Sequence, residues 1–221
     1  ATEYEKMEHD PGNTEVSAAY AAMIEETHAQ YEVLRAGGLK VEPMPAEGDP
    51  YGNPRNAVLD VVTDNHMYFF PTNEGFGTEG SVAEANLEAS RESTVDIEDN
   101  PLLQETGEVI NGYRMTANDE FRVVHDYFGH VKEGVGFRAF GEENAWRSHS
   151  AMYSPQARRA MTVETRGQNS WVNYGPHREH NLGAKGDTTQ YAEQKVGLLP
   201  QWVTDEALAD SDVRQMPEPT D

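Results

Sequence analysis

The chain contains no cysteine. Disulfides, thiolate zinc sites, iron–sulfur clusters and thiol nucleophiles are therefore excluded, and any bound metal must sit on histidine, carboxylate or backbone oxygen. Lysine is also scarce, at five of the 17 basic residues, against 39 acidic residues and a net charge of −22. Such a surface repels nucleic-acid backbone and anionic lipid, so neither is expected as a partner. It suits ordinary acidic solubility or, alternatively, a halophilic surface kept hydrated at high salt. Long hydrophobic runs are missing: no stretch of about 18 apolar residues occurs. The opening Ala-Thr-Glu-Tyr-Glu-Lys is too acidic and polar for a signal peptide. The expectation is a soluble, cytoplasmic protein.

At 221 residues the chain can form one sizeable domain. The expected organisation is an N-terminal arm over 1–12, a single metal-binding domain over 13–210 and an acidic tail over 211–221. The expected fold class is α+β, mostly helical, with a small antiparallel strand element. Asn13 or Thr14 caps a helix carrying Val16, Tyr20, Met23, Ile24, Tyr31 and Leu34, and Gly37-Gly38 ends it. A short strand over 39–41 precedes a loop rich in proline. Residues 57–62 and 66–70 read as strands of a hairpin around Thr63-Asp64-Asn65. A loop over 72–82, a short helix over 83–90, an apolar piece from Asn100 and a turn at Asn111-Gly112 follow. Asn118 or Asp119 caps a helix bearing Phe121, Val124 and His125. Residues 137–153 form a further helix with Gly141 as its weak point, and Ser154-Pro155 opens another that runs through Glu164 to Gly167. A last short helix covers 204–209.

The chemistry concentrates between 118 and 171. His125-Asp-Tyr-Phe-Gly-His130 supplies two imidazoles, and Glu164 follows 34 residues after the second. Two nitrogens and one carboxylate oxygen on one face of an ion are what a mononuclear Fe(II) site needs, with zinc or manganese as alternative metals. Residues five apart on a regular helix lie about 140° apart in azimuth, so His125 and His130 cannot share an ion without a local change of helix geometry. Gly129 offers one by letting the backbone unwind. Glu142 and Glu143 begin a helical segment, where one of them accepts from a ligand imidazole or competes with Glu164 for the metal. Asp126 is a second candidate for that role, and Arg166 is placed to grip a substrate carboxylate. Glu143, Arg166 and Asp126 are thus the candidate catalytic groups. Gln168, Asn169 and Asn173 line a pocket or cap a helix end. Trp146, Trp171 and Tyr127 read as core, His28 and His149 as structural, and His177 and His180 as solvated loop histidines.

His125-Asp-Tyr-Phe-Gly-His130-Val resembles the His-Glu-Leu-Leu-Gly-His-Val element of the pterin-dependent aromatic amino acid hydroxylases. Thr162-Val163-Glu164 is similar to the Thr-Val-Glu that carries the carboxylate ligand in that family, and Phe137 with Phe140 resembles its intervening Phe-rich helix. The resemblance covers roughly 50 residues and implies a hydroxylase-like core, Fe(II) on His125, His130 and Glu164, a pterin as possible cosubstrate, and hydroxylation of a small-molecule or peptide substrate by activated dioxygen. Asp126 stands where the family has glutamate. The segments His-Asp-Tyr-Phe-Gly-His and Glu-Thr-Arg-Gly-Gln-Asn-Ser-Trp also resemble uncharacterised proteins of tailed phages from marine and saline waters. That resemblance implies a virion-associated or interaction protein, in a viral particle or a homo-oligomer, as a non-catalytic alternative.

A metal-dependent hydrolase is the other alternative. His125-Asp126 followed by Gly129-His130 is similar to the phosphohydrolases named for their His-Asp pair, in which a metal activates water. They require a further upstream histidine, and the nearest, His66, lies 59 residues before His125. A zinc peptidase is the weaker form of this reading, since the His-Glu-x-x-His pattern is absent.

Overall fold

A computed structural model describes residues 1–45, 48–72, 99–184 and 188–209. The expected loop over 72–82 and helix over 83–90 lie almost wholly outside the described residues, as does the acidic tail. What is described is mostly helical, with one small antiparallel strand pair. No helix among these residues is long and apolar enough to cross a membrane.

Helix α1 (Thr2–Lys6) lies within the expected arm, and its Tyr4 is buried against Val163, Leu199 and Val203. Helix α2 (Thr14–Ala36) is the spine. Asn13 caps it, its side chain accepting from the amides of Glu15 and Val16 at 2.9 and 3.3 Å. Beyond Gly37, Gly38 takes φ +87°, a conformation that glycine adopts without strain. Tyr20, Met23 and Tyr31 project from α2 into the core with no exposed surface.

Strand β1 (Lys40–Pro43) and strand β2 (His66–Phe69) pair in parallel, Val41 opposite Met67. Parallel neighbours need a crossover, and helix α3 (Pro54–Asp64) supplies it. The hairpin expected over 57–70 is therefore not formed. Its signals lay at the ends of the segment. Asn53 accepts from the amide of Asn56 as N-cap, Pro54 takes the first turn, and Asn65 closes the helix at φ 50°. The β-branched residues Val58, Val61 and Val62 imitate a strand over 57–62.

The antiparallel pair is β3 (Glu105–Ile110) with β4 (Tyr113–Thr116). Asn111 and Gly112 connect them with φ 52° and 86°, the two positive values of a tight hairpin turn. Helix α4 (Ala117–His125) follows directly. Thr116 caps it, not Asn118 or Asp119: the Thr116 hydroxyl receives the Asp119 amide while the Asp119 carboxylate receives the Thr116 amide. The chain continues through a π segment (Asp126–Val131), helix α5 (Ala139–Ser150), helix α6 (Pro155–Thr162), a second π segment (Val163–Gly167), helix α7 (Gln168–Tyr174), a short α8 (Arg178–Asn181) and α9 (Gln201–Ala209). Helix α2 packs against both α4 and α6, and the first π segment packs against α5. The core runs through Val123, Val124, Trp146, Ala157 and Met161.

Candidate metal centre

His125 ends α4 and His130 lies in the π segment. There the backbone bonds span five residues: the Lys132 amide donates to the Tyr127 carbonyl at 2.9 Å and the Val135 amide to the His130 carbonyl at 3.1 Å. A π turn holds more residues than an α turn and brings positions five apart onto one face. The two rings accordingly meet, with centroids 5.2 Å apart and planes nearly perpendicular. Gly129 acts by packing instead of by unwinding. A Cβ on it would lie 2.9 Å from the Ala145 Cβ, so its bare surface admits α5 at close range.

Helix α5 brings Glu142, one turn before Ala145. His125, His130 and Glu142 each offer a ligand atom, all within 4.8 Å of one another, and all three residues are buried. This group could hold a metal ion. His130 Nε2 is 3.5 Å from Glu142 Oε2. That oxygen also accepts from Asn169 Nδ2 at 2.8 Å, which fixes the carboxylate from α7. Phe137 stacks on the His130 ring at 4.2 Å and Phe121 on His125 at 5.7 Å.

His149, on α5, completes the surroundings. Its Nδ1 lies 3.1 Å from His125 Nδ1, and its Nε2 lies 2.9 Å from the Gln30 Oε1 on α2. His125 Nε2 is then the nitrogen left to coordinate, and it is buried with no hydrogen bond to any described residue. Burial holds the His125 imidazole well below its usual range, with His130 and His149 adding to the effect. Burial and then His130 push His149 down to about 3. Both rings are neutral at physiological pH, as coordination demands. No family model, curated protein or solved structure matches this chain.

Glu164 is not a member of the group. It sits in the second π segment, where Oε1 accepts from the Tyr20 hydroxyl at 2.5 Å and Oε2 from Gln168 Nε2 at 2.8 Å. Burial raises its carboxyl to about 7 against those two hydrogen bonds. Glu143, next to Glu142 but a helical step round, receives Arg147 and Arg166, the latter through Nε and Nη2 at 3.1 Å each. Arg166 also donates to the Val203 carbonyl, pairs with Glu206 and lies 4.2 Å over the Trp146 ring. Its guanidinium thereby ties α9 to α5. Asp126 opens the first π segment, half-buried, and is not part of the group.

A cleft lies against the centre, lined by Phe140, Glu142, Glu143, Arg166, Asn169 and Tyr174 among others. Phe140 and Tyr174 are exposed on its rim, Phe140 by 90%. Sequence reasoning singled out Glu142 only as one of two competing glutamates and took His149 for a structural residue. Gln30, on the α2 spine, gave no signal at all. Asn169 was among three amides, and no pattern distinguished it from its neighbours. Among the other histidines, His28 bonds Glu120 at 3.0 Å, His66 bonds Asp60 at 2.7 Å, and His180 bonds the Thr188 carbonyl at 2.7 Å.

Proposed function

We propose that this chain is a mononuclear non-haem iron protein of the oxygenase type, with Fe(II) held by His125, His130 and Glu142. The observation that carries the reading is the buried, unpartnered His125 Nε2 beside a second imidazole and a buried carboxylate. Burying the Glu142 carboxylate carries a desolvation cost that its hydrogen bond from Asn169 meets in part and a bound dication would offset further. Two imidazoles with one carboxylate, and no thiolate anywhere in the chain, match the facial donor set of non-haem Fe(II) sites. When bound, such an ion supplies dioxygen activation for hydroxylation of a substrate. The protein's own part is positional. Asn169 orients Glu142, Phe137 and Phe121 wall the imidazoles from solvent, and the cleft beside Glu142 admits a small molecule or the side chain of a peptide.

The hydrolase reading needs a carboxylate near the ion to take a proton from water. Glu143 is neutralised by Arg147 and Arg166, and Glu164 is bound to Tyr20 and Gln168, which favours the oxygenase. Replacing Glu164 by Glu142 removes the Thr-Val-Glu part of the hydroxylase resemblance from the ligand set, so a pterin has no support beyond the His-x4-His element.

The test is elemental analysis of protein purified without added metal, for the unaltered chain and for His130→Ala, Glu142→Ala and Glu164→Gln. Near-stoichiometric iron that is lost in the first two variants and kept in the third supports the reading, and oxygen consumption is then screened across small substrates. Zinc or manganese in iron's place would move the assignment to the hydrolase. Absence of metal from every sample would remove the centre altogether.

A further inference from the structure

His149 and Gln30 have no place in the ligand set, yet their atoms are arranged around it with a definite polarity. Gln30 Oε1 can only accept, so the hydrogen at the 2.9 Å contact belongs to His149 Nε2. Among the described residues no carboxylate reaches either His149 nitrogen, and the ring is completely buried, so it is neutral and carries that one N–H. Its Nδ1 is then a lone pair. The 3.1 Å approach of two Nδ1 atoms requires one hydrogen between them, which must come from His125. His125 in turn has its proton on Nδ1 and its lone pair on Nε2, the atom that meets no partner among the described residues.

The ring of His149 is held for this purpose from several sides. Phe121 and Phe128 stack on it at 6.2 and 6.0 Å and Tyr153 lies at 5.0 Å, so it cannot turn freely. Gln30 is fixed in turn by its place on α2, one turn beyond Thr27, whose hydroxyl is 2.8 Å from that of Tyr153.

We propose that His149 is a positioning residue of the metal centre, and that the chain from Gln30 through His149 locks His125 in the Nδ1–H tautomer so that its Nε2 is presented to the ion. This rests on the metal reading above. Ligand histidines ordinarily donate their second nitrogen to a carboxylate, a backbone carbonyl or water, and loss of such a partner typically costs 10–100-fold in metal affinity. Here a second imidazole takes that place, and an amide three helices away in sequence sets its polarity.

The tautomers are read first, in metal-free, 15N-labelled protein at neutral pH, by long-range proton–nitrogen correlation of the imidazoles. His149 as Nε2–H and His125 as Nδ1–H is the expected pair; His125 as Nε2–H overturns the proposal whatever the metal does. Co(II) is then titrated into the unaltered chain, Gln30→Leu, Gln30→Glu and His149→Phe, following the visible absorption of the bound ion. Gln30→Leu and His149→Phe are expected to bind about 10–100-fold more weakly with a shifted spectrum. Gln30→Glu, which keeps an acceptor for His149, is expected to retain both affinity and spectrum. Equal affinities in all four proteins overturn the positioning role while leaving the metal centre standing. No Co(II) binding by the unaltered chain overturns both. Should His149→Phe fail to fold, the tautomer pair and the two Gln30 variants decide the question.

Discussion

Glu164→Gln separates the two carboxylates that compete for the role of third ligand, and its effect on stability is calculable. Burial holds the Glu164 carboxyl at about 7, against an ordinary value of 4.5. The folded protein therefore keeps a proton there that the unfolded chain has already lost. Stability from this group is fully present below about pH 4.5 and is lost as pH rises through about 7. A difference near 2.5 units corresponds to roughly 3 kcal/mol at alkaline pH. Glutamine is neutral at every pH, and its amide carbonyl still accepts from the Tyr20 hydroxyl. The variant should thus match the unaltered protein near pH 5 and exceed it by roughly 2–3 kcal/mol near pH 8. Urea unfolding followed by circular dichroism in the presence of chelator measures this at both pH values. A gap that does not change with pH would refute the burial argument. The same variant should retain whatever metal the unaltered protein binds at the proposed centre, because neither Glu164 oxygen belongs to the His125, His130 and Glu142 group.

Gly129→Ala places a methyl 2.9 Å from the Ala145 Cβ, an overpacking that costs about 1–3 kcal/mol, less about 1 kcal/mol of helix propensity. Because the strain pushes back α5, metal affinity should fall alongside the denaturation midpoint. Thr116→Ala removes the capping box ahead of α4 and should lower unfolding free energy by about 1 kcal/mol, read from the urea midpoint at unchanged slope. Trp146→Ala empties the centre of the core and takes away the hydrogen bond to Thr162 and the platform under Arg166, for a loss of about 3–5 kcal/mol in the same assay. Fe(II) supplied anaerobically at about 100 times its dissociation constant should add about 2.7 kcal/mol to the unaltered protein and nothing to His130→Ala, as thermal unfolding would report.

The sequence showed its helices where caps and periodicity agreed. Asn13 before α2 and Ser154-Pro155 before α6 are chemical punctuation, and both ends lie where that punctuation puts them. It misled where side-chain preference and capping disagreed. In α3, branched residues on an amphipathic, mostly solvated helix imitate a strand, and the decisive residues are Asn53, Pro54 and Asn65 at its edges. The parallel pairing of β1 with β2 is a second fact that no local pattern carries, since register between strands separated by 22 residues depends on the crossover between them.

The site was legible to the same degree and for the same reason. Two histidines five apart are a local signal, but the regular helix that local reasoning assumes keeps them on different faces. Only the π turn reconciles the spacing with a shared ion, and that turn accompanies the approach of α5 over Gly129. Once α5 is that close, its first turn sets Glu142 beside the imidazoles and its third sets His149 behind them. A carboxylate 12 residues after His130 and an imidazole 19 residues after it thus arrive through one packing event. Glu164 has the better motif and is half-buried. The carboxylate brought beside the imidazoles is that of Glu142, while Glu164 accepts from the Tyr20 hydroxyl of α2, a contact across 144 residues that no spacing rule contains.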